Sequence, residues 1–131
     1  MSENIRTHRD LHVYRKAFDL AMEIFEHTKS FPADERYAMT SQIRRSSRSV
    51  CNNIAEAWRK RRYQPAWVAK ISDAETEAGE TQSHLEFCVA CGYLEASVAR
   101  KLYASYNSIL RTLVGMITHA DKWVIRPKGR T

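Results

Sequence analysis

A chain of 131 residues suffices for one domain with its own core and is too short for two, so a single unit over 1–131 is expected. Its 21 Lys and Arg against 15 Asp and Glu leave a net charge of +6, which favours anionic partners such as RNA, DNA or an anionic surface. The odd set of three cysteines argues against a secreted disulfide framework. Neither a signal core in "MSENIRTHRD" nor a bilayer-length apolar run is present, so a soluble, cytoplasmic chain with no membrane partner is expected.

Four Gly and three Pro punctuate long periodic segments. The first helix is predicted over about 11–29, with Leu11, Tyr14, Phe18, Ala21 or Met22, and Phe25 recurring at three- and four-residue spacing. "SFPADE" breaks it, and Pro32, Asp34 and Glu35 suit the start of a second helix, because a fixed φ and negative charge are both favourable there. That helix is predicted over about 34–62 through Ile43, Ser47, Val50, Ile54 and Trp58. A third, about 65–91, opens with Pro65 in its first turn and carries Trp67, Ile71, Ala74, Ala78, Thr81, Leu85 and Cys88, with Gly92 as terminator. The fourth, about 95–120, runs through Val98, Leu102, Ser105, Ile109, Leu113 and Met116. Residues 122–131 form a basic tail. Four one-faced amphipaths of similar length, joined by short connections and with no strand-like alternation, predict an all-α, antiparallel up-and-down four-helix bundle. Ala99, Tyr103, Leu110 and Ile117 widen the apolar arc of the fourth helix beyond one seam, which points to a homo-oligomer.

Charge is segregated along the chain. Residues 33–62 hold eight basic and three acidic side chains, residues 63–96 one basic and six acidic, and residues 97–131 seven basic and one acidic. In the second helix, Arg45, Arg48, Asn52, Glu56 and Arg59 fall opposite the buried stripe, and "RKRRY" ends it in the densest basic cluster. Arg45, Arg48, Arg59, Lys60, Arg61 and Arg62 are therefore the candidate phosphate contacts, able to hold a nucleic-acid backbone with little sequence reading. The ordinary account of the same residues is a solvated helix face and a charged helix end. Arg44 and Arg62, on the shoulder, are placed to pair with Glu75, Glu77 or Glu86 of the third helix.

The remaining polar groups suggest less. Asp73, Glu77, Glu80 and His84 form an outward ladder, and the four-residue step from Glu80 to His84 departs from the Glu-x-x-His spacing of carboxylate-bridged metal bundles. Solvated or paired acids are the simpler account, so neither a metal nor a cofactor is assigned. Asp19, Glu23 and His27 are read the same way, and His8, His12 and His119 are isolated and expected to be exposed. The single "CVAC" pair lacks a second pair of ligands for zinc and sits toward a helix C-terminus, unfavourable for a redox thiolate. Ser46, Ser47 and Ser49 have no basic partner in any motif. No catalytic residue is assigned, and Gly79, beside Ala78, is read as permitting a close helix contact. A protein-binding scaffold using the acidic third helix and the basic tail is the alternative to a nucleic-acid binder, with a metal enzyme on the Asp73 to His84 ladder ranked behind both.

Phe31 with Pro32, "QIRRSS" at 42–47 and "NIAE" at 53–56, followed by "SDAETEAGETQSHLEFCVACGYL", resemble the 23S ribosomal RNA intervening-sequence protein family, also called the S23 family, over about 11–120. Ala57 stands where that family often has glycine. The resemblance implies a left-handed up-and-down bundle assembling as a homopentamer, and nucleic-acid association rather than catalysis. It extends to the accessory protein of diversity-generating retroelements, a basic pentameric barrel that associates with nucleic acid and a reverse transcriptase. Arg44, Arg45, Ser46, Ser47, Asn53 and Glu56 fall on the family signature.

Overall fold

A computed structural model describes residues 5–126; the last part of the basic tail lies outside the described residues. Four helices, α1 (His12–Thr28), α2 (Met39–Arg59), α3 (Gln64–Ala90) and α4 (Ala96–Thr118), are joined by short connections, with 3-10 turns at His8–Asp10, Ala33–Glu35 and Ala120–Lys122. No strand occurs among the described residues, so the chain is all-α.

The helix ends follow from local chemistry. Thr7 and Asp10 form a reciprocal capping box that turns the chain into α1. The second helix starts later than the Pro32 signal predicts, because "ADE" closes as a separate 3-10 turn and Ala38 leaves helical geometry at φ −119° and ψ −104°. Glu35 then serves the true start: one carboxylate oxygen accepts from the Met39 backbone N–H at 3.1 Å. Its other oxygen accepts the Tyr93 hydroxyl at 2.6 Å, tying this turn to the far end of α3. α2 also stops sooner than expected, at Arg59, so Arg61 and Arg62 lie in the connecting turn. Pro65 sits in the first turn of α3 as predicted. Gly92 ends that helix at φ +78°, a conformation that lets the N–H groups of Tyr93 and Leu94 both reach the Cys88 carbonyl.

Each helix packs on its sequence neighbours, with α2 on α3 the most extensive pair, and α1 closes the ring against α4. The chain reverses at each connection: Arg44, early in α2, reaches Thr28 at the end of α1, and Trp67, early in α3, reaches Met116 near the end of α4. The α1/α2 face therefore lies opposite the α3/α4 face. Ile43, Val50, Ile54, Trp67, Ile71, Ala74, Ala78, Leu85, Ile109 and Leu113 are all at most 1 % exposed and fill the seam. Small polar groups fit there by pairing: the Ser46 and Thr81 hydroxyls meet at 2.8 Å between α2 and α3, one donating to the other, and the accepting hydroxyl gives its own proton to a carbonyl of its helix, Ile43 for Ser46 or Glu77 for Thr81. The Trp67 indole N–H donates to the Met116 carbonyl at 3.0 Å, and Gln82 donates to the Tyr103 carbonyl and the Asn107 side chain.

On α1 the buried stripe is Val13, Ala17, Leu20, Ala21 and Ile24, whereas the predicted stripe led through Tyr14, Phe18 and Phe25. Both sets satisfy the helical period, so periodicity does not choose between them. The aliphatic set fills the seam against α2 and α4, and the aromatic set is left on the shoulder, with Phe18 49 % and Met22 46 % exposed. On α4 the expected Leu102, Ile109, Leu113 and Met116 are buried, but Tyr106 takes the inward position assigned to Ser105. Tyr103, Leu110 and Ile117 are half-buried at the edge and Val114 is exposed. Gly79 is not a close-contact site: a Cβ added there would meet nothing within 4 Å.

Candidate nucleic-acid interface

The six basic residues singled out in the sequence occupy two separate places, one along the first half of α2 and one at its end and the turn that follows. Fourteen helical steps from Arg45 to Arg59 set them about 20 Å apart.

The first place is a shallow groove of about 510 Å³ running from the turn before α2 along its first half. Arg44, Arg45 and Arg48 line it with the hydroxyls of Thr40, Ser41 and Ser49, and Arg36 and Tyr37 stand at its mouth. Its cations are held by their neighbours. Arg44 donates through Nε to the Thr28 hydroxyl at 2.8 Å, and its guanidinium lies 4.7 Å from the Phe25 ring centre. The same ring receives Arg48 at 5.8 Å and the Lys29 ammonium at 5.0 Å. Three cations thus gather around one aromatic ring, which offsets part of their mutual repulsion. This is the role of Phe25, which the sequence reading assigned to the core.

Arg45 is differently placed. Its guanidinium lies 3.3 Å from a Glu77 carboxylate oxygen and 3.2 Å from one of Glu80, both on α3. The arginine pairing expected across the α2–α3 seam therefore exists, but Arg45 makes it instead of Arg44 or Arg62, because Arg44 is turned toward α1. The acidic ladder likewise faces α2 rather than open solvent over this part of its length. Two carboxylates around one guanidinium leave the spot with a formal charge of −1, so Arg45 adds little attraction for phosphate. Lys70 pairs similarly with Glu56 at 3.5 Å and Asp73 at 3.7 Å. Burial pulls the nearby His84 imidazole below its ordinary value, partly opposed by Glu80.

The second place is the α2–α3 turn. Arg61 is bound into the structure: its guanidinium stacks 3.4 Å from the Trp58 ring centre, its Nε donates to the Trp58 carbonyl at 2.8 Å, and its own carbonyl accepts the Ile125 N–H at 2.8 Å. Beside it Trp123 stacks on Trp67 at 5.7 Å, so the segment after α4 is fastened to this turn. Arg59, Lys60 and Arg62 are exposed and form no ion pair among the described residues. Arg59 also sits close enough to His8 to help hold that imidazole below its ordinary value, after burial and Arg9. His8 is half-buried, packed edge-on against Tyr14 at 4.8 Å, rather than isolated as expected.

Burial pushes the Cys51 and Cys88 thiols up to about 12, far from a reactive thiolate, and Cys91 is exposed just beyond α3. Among the described residues no group of three or more His, Cys, Asp or Glu is arranged to hold a metal ion. No helix among them is long and apolar enough to cross a membrane. Sequence reasoning missed Arg36 and Tyr37; the available signal was an arginine–aromatic pair directly after the "PADE" turn and outside the helical apolar period.

The family model for the 23S rRNA-intervening sequence protein matches residues 9–115. The chain is also similar to a crystal structure of a protein with unknown function from the S23 ribosomal protein family of Bacteroides thetaiotaomicron. The TM-score is 0.73 at 25% identity, covering 81% of this chain and 95% of that one. No curated protein matches.

Proposed function

Because this chain belongs to the 23S rRNA-intervening sequence protein family, we propose that it is a non-enzymatic, up-and-down four-helix bundle protein that binds an RNA or DNA backbone through the basic side chains of α2 and its following turn. The observation that carries this reading is the trio Arg59, Lys60 and Arg62, exposed at one end of the molecule with no carboxylate paired to it among the described residues. Arg48, held over Phe25 in the groove, is a further cation with no ion pair among the described residues. Arg61 contributes by shaping the turn, and Arg45 is withheld by Glu77 and Glu80. Such contacts position a phosphate chain without reading its sequence, and their strength falls steeply with salt. Filter binding of RNA and DNA over a salt series tests this: retention at low salt that weakens in Arg59→Ala/Lys60→Ala/Arg62→Ala is expected. Absence of retention at low salt, or a triple variant indistinguishable from the parent, would overturn the reading.

The same proposal includes self-assembly. Phe18 and Met22 expose an apolar strip on the α1 side, while Tyr103, Leu110 and Val114 leave another along α4. Two different strips on different faces favour head-to-tail contact, which closes as a ring where the rotation allows, over a two-fold dimer. α4 carries Arg100, Lys101 and Arg111 with no acidic residue, whereas the Phe18 side of α1 mixes Asp19 with Arg9 and Arg15, so the case for this contact rests on the apolar strips rather than on charge. A homopentamer, the state implied by the family, would repeat the weak basic patch and raise avidity.

A further inference from the structure

The groove beside the first half of α2 has a feature that backbone binding does not use. Tyr37 is 87 % exposed, more than any other large apolar or aromatic side chain among the described residues. It does not sit on a frayed end. The turn beneath it is closed by backbone bonds from Arg36 to Ala33 and from Ala38 to Glu35, and Glu35 is itself fastened to Met39 and Tyr93. The Arg36 guanidinium lies over the ring at 6.0 Å. A rigid pedestal thus holds an aromatic face in water, next to a groove lined by arginines and hydroxyls.

We propose that this groove takes a single-stranded stretch of nucleic acid, with one base stacked on Tyr37 and the adjoining phosphates on Arg36 and Arg48. The inference rests on the backbone-binding reading above and adds the strandedness of the ligand. Charge alone is too sparse here to favour a duplex, since Arg45 is neutralised by Glu77 and Glu80 and Arg44 is committed to Thr28 and Phe25. Stacking supplies the missing attraction, and it is open only to a base whose face is uncovered. A duplex buries those faces between neighbouring pairs. Base–aromatic stacking tolerates any sequence, because every base presents a π-face, and Arg36 adds a cation to the same ring.

The test is calorimetric titration of the full-length protein at low salt with an oligo(dT) strand and with the oligo(dT)·oligo(dA) duplex. The strand is expected to bind about tenfold more tightly than the duplex. Tyr37→Ala should remove about that tenfold from the strand and leave the duplex unchanged, while Tyr37→Trp retains it. Tyr63→Ala serves as the control, because Tyr63 is also strongly exposed but stands by the α2–α3 turn. Equal affinity for strand and duplex, or a Tyr37→Ala variant that binds the strand like the parent, overturns the inference and leaves the backbone reading intact. So does a loss of strand affinity in Tyr63→Ala but not in Tyr37→Ala. Failure of both ligands to bind overturns the two together.

Discussion

Tyr106 shows how one position can oppose the packing around it. The ring is fully buried and fills the centre of the bundle, yet its hydroxyl makes no hydrogen bond among the described residues, and burial raises its pKa. A buried hydroxyl that has lost water and gained no partner is destabilising by about 1–3 kcal/mol. Tyr106→Phe, which keeps the ring, is therefore expected to stabilise the fold by about 1 kcal/mol, read as a higher denaturant midpoint at unchanged slope. Glu35 works in the opposite sense. Its hydrogen bond from Tyr93, then that from the Met39 N–H, hold the carboxyl below its ordinary value of 4.5, and the same bond raises the Tyr93 phenol to about 12. With the folded value depressed, the contribution of the carboxylate is complete above 4.5 and disappears as pH falls through the lowered folded value. Thermal unfolding of the parent and Glu35→Gln should differ above that pH and converge below it; parallel curves at all pH would contradict the assignment.

At the level of helices, what was legible in the sequence is what periodicity and punctuation encode. Pro65 and Gly92 bracket α3 as expected, and its stripe from Trp67 to Cys88 is buried throughout. Three features were not legible, each for a physical reason. α1 carries two stripes that both fit its period, so only the shape of the seam selects Val13, Ala17 and Leu20 over Tyr14 and Phe18. The start of α2 is displaced because Glu35 caps Met39 from a separate turn, a side-chain choice that propensity does not contain. The arginine that meets the acidic helix is Arg45, one position from the residue expected, because a step of about 100° decides whether a side chain points to α1 or α3. Gly79 gives a test of helix energetics alone. Since an added Cβ there meets nothing within 4 Å, Gly79→Ala should stabilise α3 by about 1 kcal/mol, measured by urea unfolding. A destabilised variant would mean that α3 is packed more tightly at this point than its neighbours indicate.

For the whole molecule, the same rotation of α1 that defeated the core assignment creates the exposed strip proposed to join copies. Phe18→Asp/Met22→Asp puts charge on that strip without touching a fully buried residue. Light scattering is expected to show the parent as an oligomer and the double variant shifted toward the 15.2 kDa monomer, with helical circular dichroism unchanged. A monomeric parent over the micromolar range would remove the assembly from the proposal.

All three tryptophans lie at one end of the bundle: Trp58 under Arg61, and Trp67 stacked on Trp123. The opposite end, where Tyr37 stands, has none. Indole emission is therefore a local optical probe, sensitive to a ligand at the α2–α3 turn and blind to one in the groove. A ligand that quenches it is sitting on Arg59 and Arg62; a ligand that releases heat while the emission stays constant is sitting on Arg36 and Arg48. The native chain can thus distinguish its two basic ends without an attached dye.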